Sequence, residues 1–202
     1  GGGRCNFTNL NTDASKFISQ NSNFVISALN QYSHNDFISL IEKHNIKFHE
    51  KKLGQLFCDE SAQKIIDMLL LECENANVTL KKDISITEID KLDNGYKVIF
   101  EGKQYLCESL IIATGGLSIP KIGASKFGYE IAKKFNLNVL DTLPALVPLT
   151  FNEKLLMICK SLTGLSLEAR VSYNKILFEE GMIFTHRGLS GLSILQISSY
   201  WK

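Results

Sequence analysis

Two short stretches of this chain have the composition of places where backbone meets a ligand. The first is Gly1-Gly2-Gly3-Arg4-Cys5-Asn6, in which three residues without a Cβ precede a guanidinium, a thiol and a carboxamide. Glycine reaches positive φ and lets amide N–H groups come close to a ligand, and Arg4 adds a planar fork of donors matched to phosphate. Tag removal also leaves Gly-rich starts, and these residues alone keep both readings open. The second stretch is Ala113-Thr114-Gly115-Gly116, at the end of the apolar run Leu110-Ile111-Ile112-Ala113. Such a run reads as a strand buried on both faces of a parallel sheet, and open α/β sheets bind ligands at the carboxyl ends of their strands. An ordinary strand-ending turn has the same composition.

Other chemistries find less support. His34, His44, His49 and His186 form no i, i+4 pair, and Cys5, Cys58, Cys73, Cys107 and Cys159 have no zinc spacing, so no metal site is expected. The cysteines are odd in number and scattered, as reduced thiols of a cytoplasmic protein would be. Cys5 is a redox candidate only if its pKa is lowered, and no second cysteine lies near it in sequence. The net charge is +1, and the lysines fall in separated pairs (51-52, 81-82, 133-134), which excludes one basic face and predicts no nucleic acid as main partner. No apolar run approaches ~18 residues and no signal peptide is visible, so no membrane partner is expected.

With 202 residues, 45% hydrophobic and 21% charged, the chain can bury the core of one large domain or of one domain and part of another. Periodicity predicts two short helices over 22–43 and a hairpin around Gly54. A helix follows in which Ala62, Ile65, Ile66, Leu69, Leu70 and Cys73 share a face. From 78 the period becomes two. Val78 and Leu80, Ile84 and Ile86, then Tyr96, Val98 and Phe100 read as strands of an antiparallel meander, with turns at Asp93-Asn94-Gly95 and Glu101-Gly102-Lys103. Residues 128–135 look helical. Pro144 and Pro148 make a domain crossing plausible between them. Residues 167–184 alternate again, with turn signals at Asn174-Lys175 and Glu180-Gly181, and 189–201 has helical spacing.

A helix, a strand, a meander and an apolar strand ending in Ala-Thr-Gly-Gly is an order similar to the second half of FAD-binding domains of the glutathione reductase type. With residues 1–9 (GGGRCNFTN), 113–120 (ATGGLSIP), 144–149 (PALVPL) and 184–191 (FTHRGLSG), the chain resembles the bacterial BaiN-like family of NAD(P)/FAD-dependent oxidoreductases, also called aminoacetone-oxidase-like. The resemblance runs over nearly the whole chain. It implies an α/β fold: a partial glutathione-reductase-like FAD-binding domain with an antiparallel meander at 1–146, then the start of a β-rich inserted, substrate-side domain at 147–202.

By that resemblance the chain is the middle portion of a flavin-dependent oxidoreductase. It would bind FAD and pass hydride or electrons between a nicotinamide or a small organic substrate and an acceptor, with NAD(P)H as a donor. Gly2, Gly3, Arg4, Cys5 and Asn6 would lie along the FAD pyrophosphate and flavin. The main chain at Ile86 would meet the adenine, and its side chain would pack in the core. Ala113, Thr114, Gly115 and Gly116 would close over the cofactor. The G-x-G-x-x-G turn, the acidic ribose ligand and the C-terminal segment that completes the pocket are not in this sequence. They are expected in missing N- and C-terminal segments of the same protein, and the isolated fragment is expected to be inactive. The alternative is a truncated, non-catalytic remnant or a nucleotide-binding module without redox activity. Leu192 stands where the family commonly has Pro, and Gln55-Leu56-Phe57-Cys58 where it has an Arg-Val-Phe-Pro-like segment. His186 and Arg187 lie in a matching motif, as cleft-lining or hydrogen-bonding residues. In the full-length protein, Gly3→Val is expected to abolish FAD retention, measured as flavin released per polypeptide on denaturation.

Overall fold

A computed structural model describes residues 5–119 and 123–201. The chain forms two compact units, Gly1–Leu110 and Ile111–Lys202.

In the first unit, β1 (Asn6–Asn9) leads through a 3₁₀ turn at Ala14–Lys16 to α1 (Ile26–Gln31) and α2 (His34–Lys43). These are the two short helices that periodicity predicts. Ser33 separates them because its hydroxyl accepts from the Asp36 N–H while the Asp36 carboxylate accepts from the Ser33 N–H, a reciprocal cap that starts α2. The expected hairpin follows as β2 (Phe48–Glu50) and β3 (Gln55–Cys58), then α3 (Ala62–Asn75). The antiparallel sheet has the order β1-β3-β2.

The core of this unit lies between that sheet and the helices. Ile41 of α2, Cys58 of β3, and Ile65 and Met68 of α3 are buried together, with Cys5, Phe7, Phe37, Leu40, Ile46 and Phe48 packed around them. Phe7 meets Phe48 edge-on at 5.4 Å between ring centroids and Phe37 at 6.1 Å. At the helix ends, Glu72 accepts from Lys43 at 2.9 Å and pairs with His44 at 2.7 Å. The side of α3 in the core is that of Ile65 and Met68, whereas Ile66, Leu69 and Leu70 are exposed.

The meander is β4 (Ile86–Leu92), β5 (Gly95–Phe100) and β6 (Lys103–Cys107), all antiparallel, with its turns where Gly95 and Gly102 predict them. Val78, Leu80 and Ile84, however, are not in a strand. The Val78 N–H instead closes the end of α3 on the Cys73 carbonyl at 2.8 Å.

The second unit contains α4 (Phe127–Lys134), β7 (Leu149–Thr150), α5 (Glu153–Ser161), β8 (Ser166–Tyr173), β9 (Ile176–Thr185), β10 (Gly188–Ser190) and α6 (Leu192–Ser198). Its antiparallel sheet has the order β7-β10-β9-β8. The turn at Asn174-Lys175 is as expected, but Glu180-Gly181 makes none: β9 runs through it, with Glu180 opposite Ala169 and Gly181 opposite Glu168. A continuous ladder outweighs a local turn preference. In α6, Ile194 and Ile197 are buried, and Ser198 and Ser199 accept from the amides of Val147 (3.0 Å) and Leu146 (3.2 Å). Those bonds tie residues 146 and 147 into this unit, so the compact units divide elsewhere than the functional boundary expected between 146 and 147.

The expected parallel strand is a further correction. Residues 110–113 have no strand conformation, and Ile111 is 86% exposed. Among the described residues every strand pairing is antiparallel. An apolar run becomes a strand only where neighbours take up its N–H and C=O groups, and none of the described residues does so here. The architecture is mixed α/β with antiparallel sheets. Because Ile41 is fully buried at the sheet-helix junction, Ile41→Ala is expected to lower unfolding stability by about 3 kcal/mol, read from urea denaturation.

Candidate functional site

The side chains of β1 alternate between the two faces of its sheet. Cys5 and Phe7 pack on the core cluster, and Asn6 is exposed. With its amide oriented to satisfy both partners, Asn6 donates to the carbonyls of Leu56 (3.1 Å) and Thr8 (2.9 Å) and so braces the bulge between Asn6 and Thr8. Burial, then the neighbouring Cys58, pushes the Cys5 thiol pKa up. This is opposite to the lowered value that thiolate chemistry needs. Gly2, Gly3 and Arg4 lie outside the described residues.

Ile86 begins β4 opposite Phe100, just before a register shift. Its side chain is 39% exposed, so it does not do the plain core packing expected of it.

In the second unit, residues 113–116 run as exposed backbone towards the first turn of α4, with Gly116 half-buried. Gly115 has φ +73°, a conformation that L side chains rarely adopt, and no atom lies within 4 Å of where its Cβ would be. Gly128, in the first turn of α4, sits against the same segment: a Cβ there would stand 2.7 Å from Thr114 Oγ1 and 3.5 Å from Ile112 Cγ2. A Cβ on Gly116 would be 3.4 Å from Tyr129 Oη. Among the described residues, no protein acceptor takes the amides of residues 114–116. The segment therefore rests on α4 and presents open, unpaired backbone donors. Pro120, at the end of this motif, lies outside the described residues. His186 and Arg187 are exposed in the β9–β10 turn, which Thr185 Oγ1 braces by accepting from the Arg187 N–H (3.3 Å) and donating to the Gly188 carbonyl (3.1 Å).

The family described as HI0933-like protein Rossmann domain matches residues 1–199. This chain belongs to that family. Three curated relatives align with essentially all of it. A ribosomal RNA dihydrouridine synthase of Escherichia coli (strain K12) is 50% identical over 203 residues, covering 100% of this chain and 51% of the relative. Its namesake in Haemophilus influenzae (strain ATCC 51907 / DSM 11121 / KW20 / Rd) is 43% identical over 215 residues, covering 100% and 51%. A 3-dehydro-bile acid delta(4,6)-reductase of Clostridium scindens (strain ATCC 35704 / DSM 5676 / VPI 13733 / 19) is 23% identical over 206 residues, covering 99% and 49%. The HI0933-like chain thus spans about half the length of the curated relatives it matches.

The Rossmann domain of the HI0933-like family is of the flavin-binding kind. The segment 114–116 fits such a group: unpaired amide donors suit phosphate oxygens, and the Cβ-free space at Gly115 admits close approach. Among the described residues no His/Cys/Asp/Glu group is placed to hold a metal, and no helix is long and apolar enough to cross a membrane. Cys5, Asn6 and Ile86 belong to the first unit and Ala113, Thr114, Gly115 and Gly116 to the second.

Sequence reasoning missed three features. Gly128 is the small residue that lets segment 112–116 rest on its helix, but nothing in the pattern marks it beyond a glycine in a helical segment. Cys58 lies across from Cys5 only because β1 pairs with β3. On the other face of that sheet, Asn6, Phe57 and His49 form one cross-strand row, and His49 Nδ1 lies 2.6 Å from Asp59 Oδ1. Gly128→Ala forces the Thr114 hydroxyl from its place against α4. It is expected to lower flavin content of the full-length protein severalfold, while Gly181→Ala, whose Cβ meets only ordinary contact, leaves it unchanged, both measured by flavin absorbance per polypeptide.

Proposed function

We propose that this chain is the central portion of an FAD-dependent reductase that saturates a carbon–carbon double bond conjugated to a carbonyl, and that its substrate is a uridine of ribosomal RNA. The observation that carries the reading is 50% identity, spread over the whole chain, to a protein named for making dihydrouridine in ribosomal RNA. The 43% relative carries the same name. The 23% relative is named for reducing a bile-acid derivative, and this narrower BaiN-like likeness supports the class of bond change more than the substrate. Reducing the ring double bond of uracil and reducing a conjugated enone are the same operation: hydride to the carbon β to the carbonyl, a proton to the α carbon.

An RNA substrate takes the place of the small molecule that the family resemblance implies, against the expectation from charge that nucleic acid is no main partner. A net charge of +1 and scattered lysine pairs offer few counter-charges to a phosphate backbone, so most phosphate contacts are assigned to the rest of the full-length protein. Bound FAD supplies the hydride, with NAD(P)H as the proposed source of electrons. This chain's part is to hold that group and to deliver the proton. Gly2, Gly3, Arg4 and Asn6 are assigned to its phosphate and flavin side, the main chain at Ile86 to its adenine, and residues 113–116 to close over it. Residues 1–146 are the FAD-binding side and 147–202 begin the substrate side, in a cytoplasmic protein.

His49 is the proposed proton donor. It is on the same sheet face as Asn6, Asp59 Oδ1 holds its Nδ1, and its Nε2 is the ring nitrogen left to face a substrate.

The test uses the full-length protein. It should purify yellow, and after anaerobic reduction by NADPH or NADH its flavin should be reoxidised by an unmodified ribosomal RNA transcript, whose uridine gains two hydrogens by mass spectrometry. Reoxidation by an enone but not by RNA overturns the substrate. A colourless protein that takes up no FAD overturns the whole reading and leaves the remnant alternative. His49→Gln is expected to slow RNA reduction about a hundredfold with flavin content unchanged.

A further inference from the structure

The structure brings together two thiols that the sequence keeps apart. Asn6 is opposite Phe57 in the β1–β3 pair, which sets Cys58 against Cys5, and the Cys58 N–H donates to the Cys5 carbonyl at 3.0 Å. Directly opposed residues of an antiparallel pair project to the same face. Here that face is the cluster of Ile41, Ile65 and Met68, where Cys58 is buried and Cys5 half-buried. Opposed Cα atoms at a hydrogen-bonded position lie about 5.5 Å apart, inside the roughly 4.4–6.8 Å that a disulfide spans. The remaining cysteines lie elsewhere: Cys73 in α3, Cys107 in β6 and Cys159 in α5, and all five are free thiols.

We propose that Cys5 and Cys58 close into a reversible disulfide, so that the β1–β3 pair is a site of thiol oxidation. The oxidant is a low-molecular-weight disulfide of the glutathione type. The more accessible Cys5 reacts first: its thiolate attacks one sulfur of the oxidant, forms a mixed disulfide and releases the other half as a thiolate. Cys58 then attacks Cys5 Sγ, the protein disulfide forms, and the second half leaves. Two protein thiols are oxidised, one small disulfide is reduced, and the two protons end on the released thiols.

The surroundings shape both steps. Cys58 Sγ donates to the Ser61 carbonyl at 3.3 Å, a bond the second step gives up. Burial holds the Cys5 thiol protonated at neutral pH, so closure is slow there and quickens as pH rises. Opposed Cβ atoms some 5.5 Å apart must close to about 4 Å, for which the bulge between Asn6 and Thr8 provides slack. The residual strain makes the bond easy to reduce. Closure ties β1, and with it residues 1–4, covalently to β3. None of this depends on the ribosomal RNA reading.

The full-length protein is equilibrated, folded, across a series of oxidised-to-reduced glutathione ratios, quenched in acid, alkylated and mapped by peptide mass. The expected result is one cross-linked peptide pair joining Cys5 to Cys58, lighter by two hydrogens and restored by dithiothreitol, with Cys73, Cys107 and Cys159 alkylated throughout. Closure should speed up close to tenfold per pH unit while thiolate is the minor form. Cys58→Ala should stop at a glutathione adduct on Cys5, and Cys5→Ser should leave Cys58 unmodified. Complete alkylation of Cys5 and Cys58 at every ratio overturns the proposal. So does a wild-type protein that stops at the Cys5 adduct, or a cross-link from either residue to another cysteine; the wild-type map decides even if a variant folds poorly.

Discussion

The burial of Ile41 against Cys58, Ile65 and Met68 fixes the parity of a whole sheet. Side chains alternate along a strand, so once Cys5, Phe7, Phe48 and Cys58 turn towards that cluster, Asn6, Phe57 and His49 must turn away from it. A slip of one residue would put a carboxamide and an imidazole into an apolar core and expose two thiols and two phenyl rings, which is why the register is strongly specified. The separation between a protonatable outer face and a thiol-bearing inner face follows from that one apolar contact. The capping of α2 by Ser33 and the Glu72 contacts to Lys43 and His44 then keep the two helices where the cluster needs them.

What could be read from the sequence was whatever is decided locally. Helix α3, the β2–β3 hairpin and the two turns of the meander each follow from spacing or turn residues within a few positions of one another and stand where they are expected, whereas the meander begins at Ile86 and not at Val78. Segments whose state depends on a distant partner were misread. Residues 110–113 have the composition of a buried strand, yet backbone becomes a strand only through neighbours, and the described residues provide none. The same dependence, with opposite outcome, carries β9 through Glu180-Gly181, where the β8 ladder overrides a local turn signal.

The candidate site divides in the same way. At Thr114-Gly115-Gly116 the open backbone was legible from its glycines, and Gly115 does adopt positive φ, although the strand expected before it is not there. The segment's dependence on Gly128 was not legible, because a glycine early in a helix carries no mark of what approaches it. Cys5 was legible as a thiol in a glycine-rich loop but not as half of a pair, since the β1–β3 pairing joins residues from opposite ends of the first sheet's sequence span. Asn6 also serves differently from what its motif suggests: its amide braces a bulge.

Two fastenings, one in each unit, differ chemically. In the first, the carboxylate of Glu72 is kept below its ordinary pKa by hydrogen bonds from Lys43 and His44. The stabilisation is therefore present above the unfolded carboxylate value and fades as pH falls through the lower, folded one. In the second, α6 is fastened to the backbone of Leu146 and Val147 by the hydroxyls of Ser199 and Ser198, groups that carry no charge at any ordinary pH. Screening ions weaken the first kind of fastening and leave the second nearly untouched. Salt and acid therefore loosen the joint between α2 and α3 and leave the seat of α6 nearly as it was.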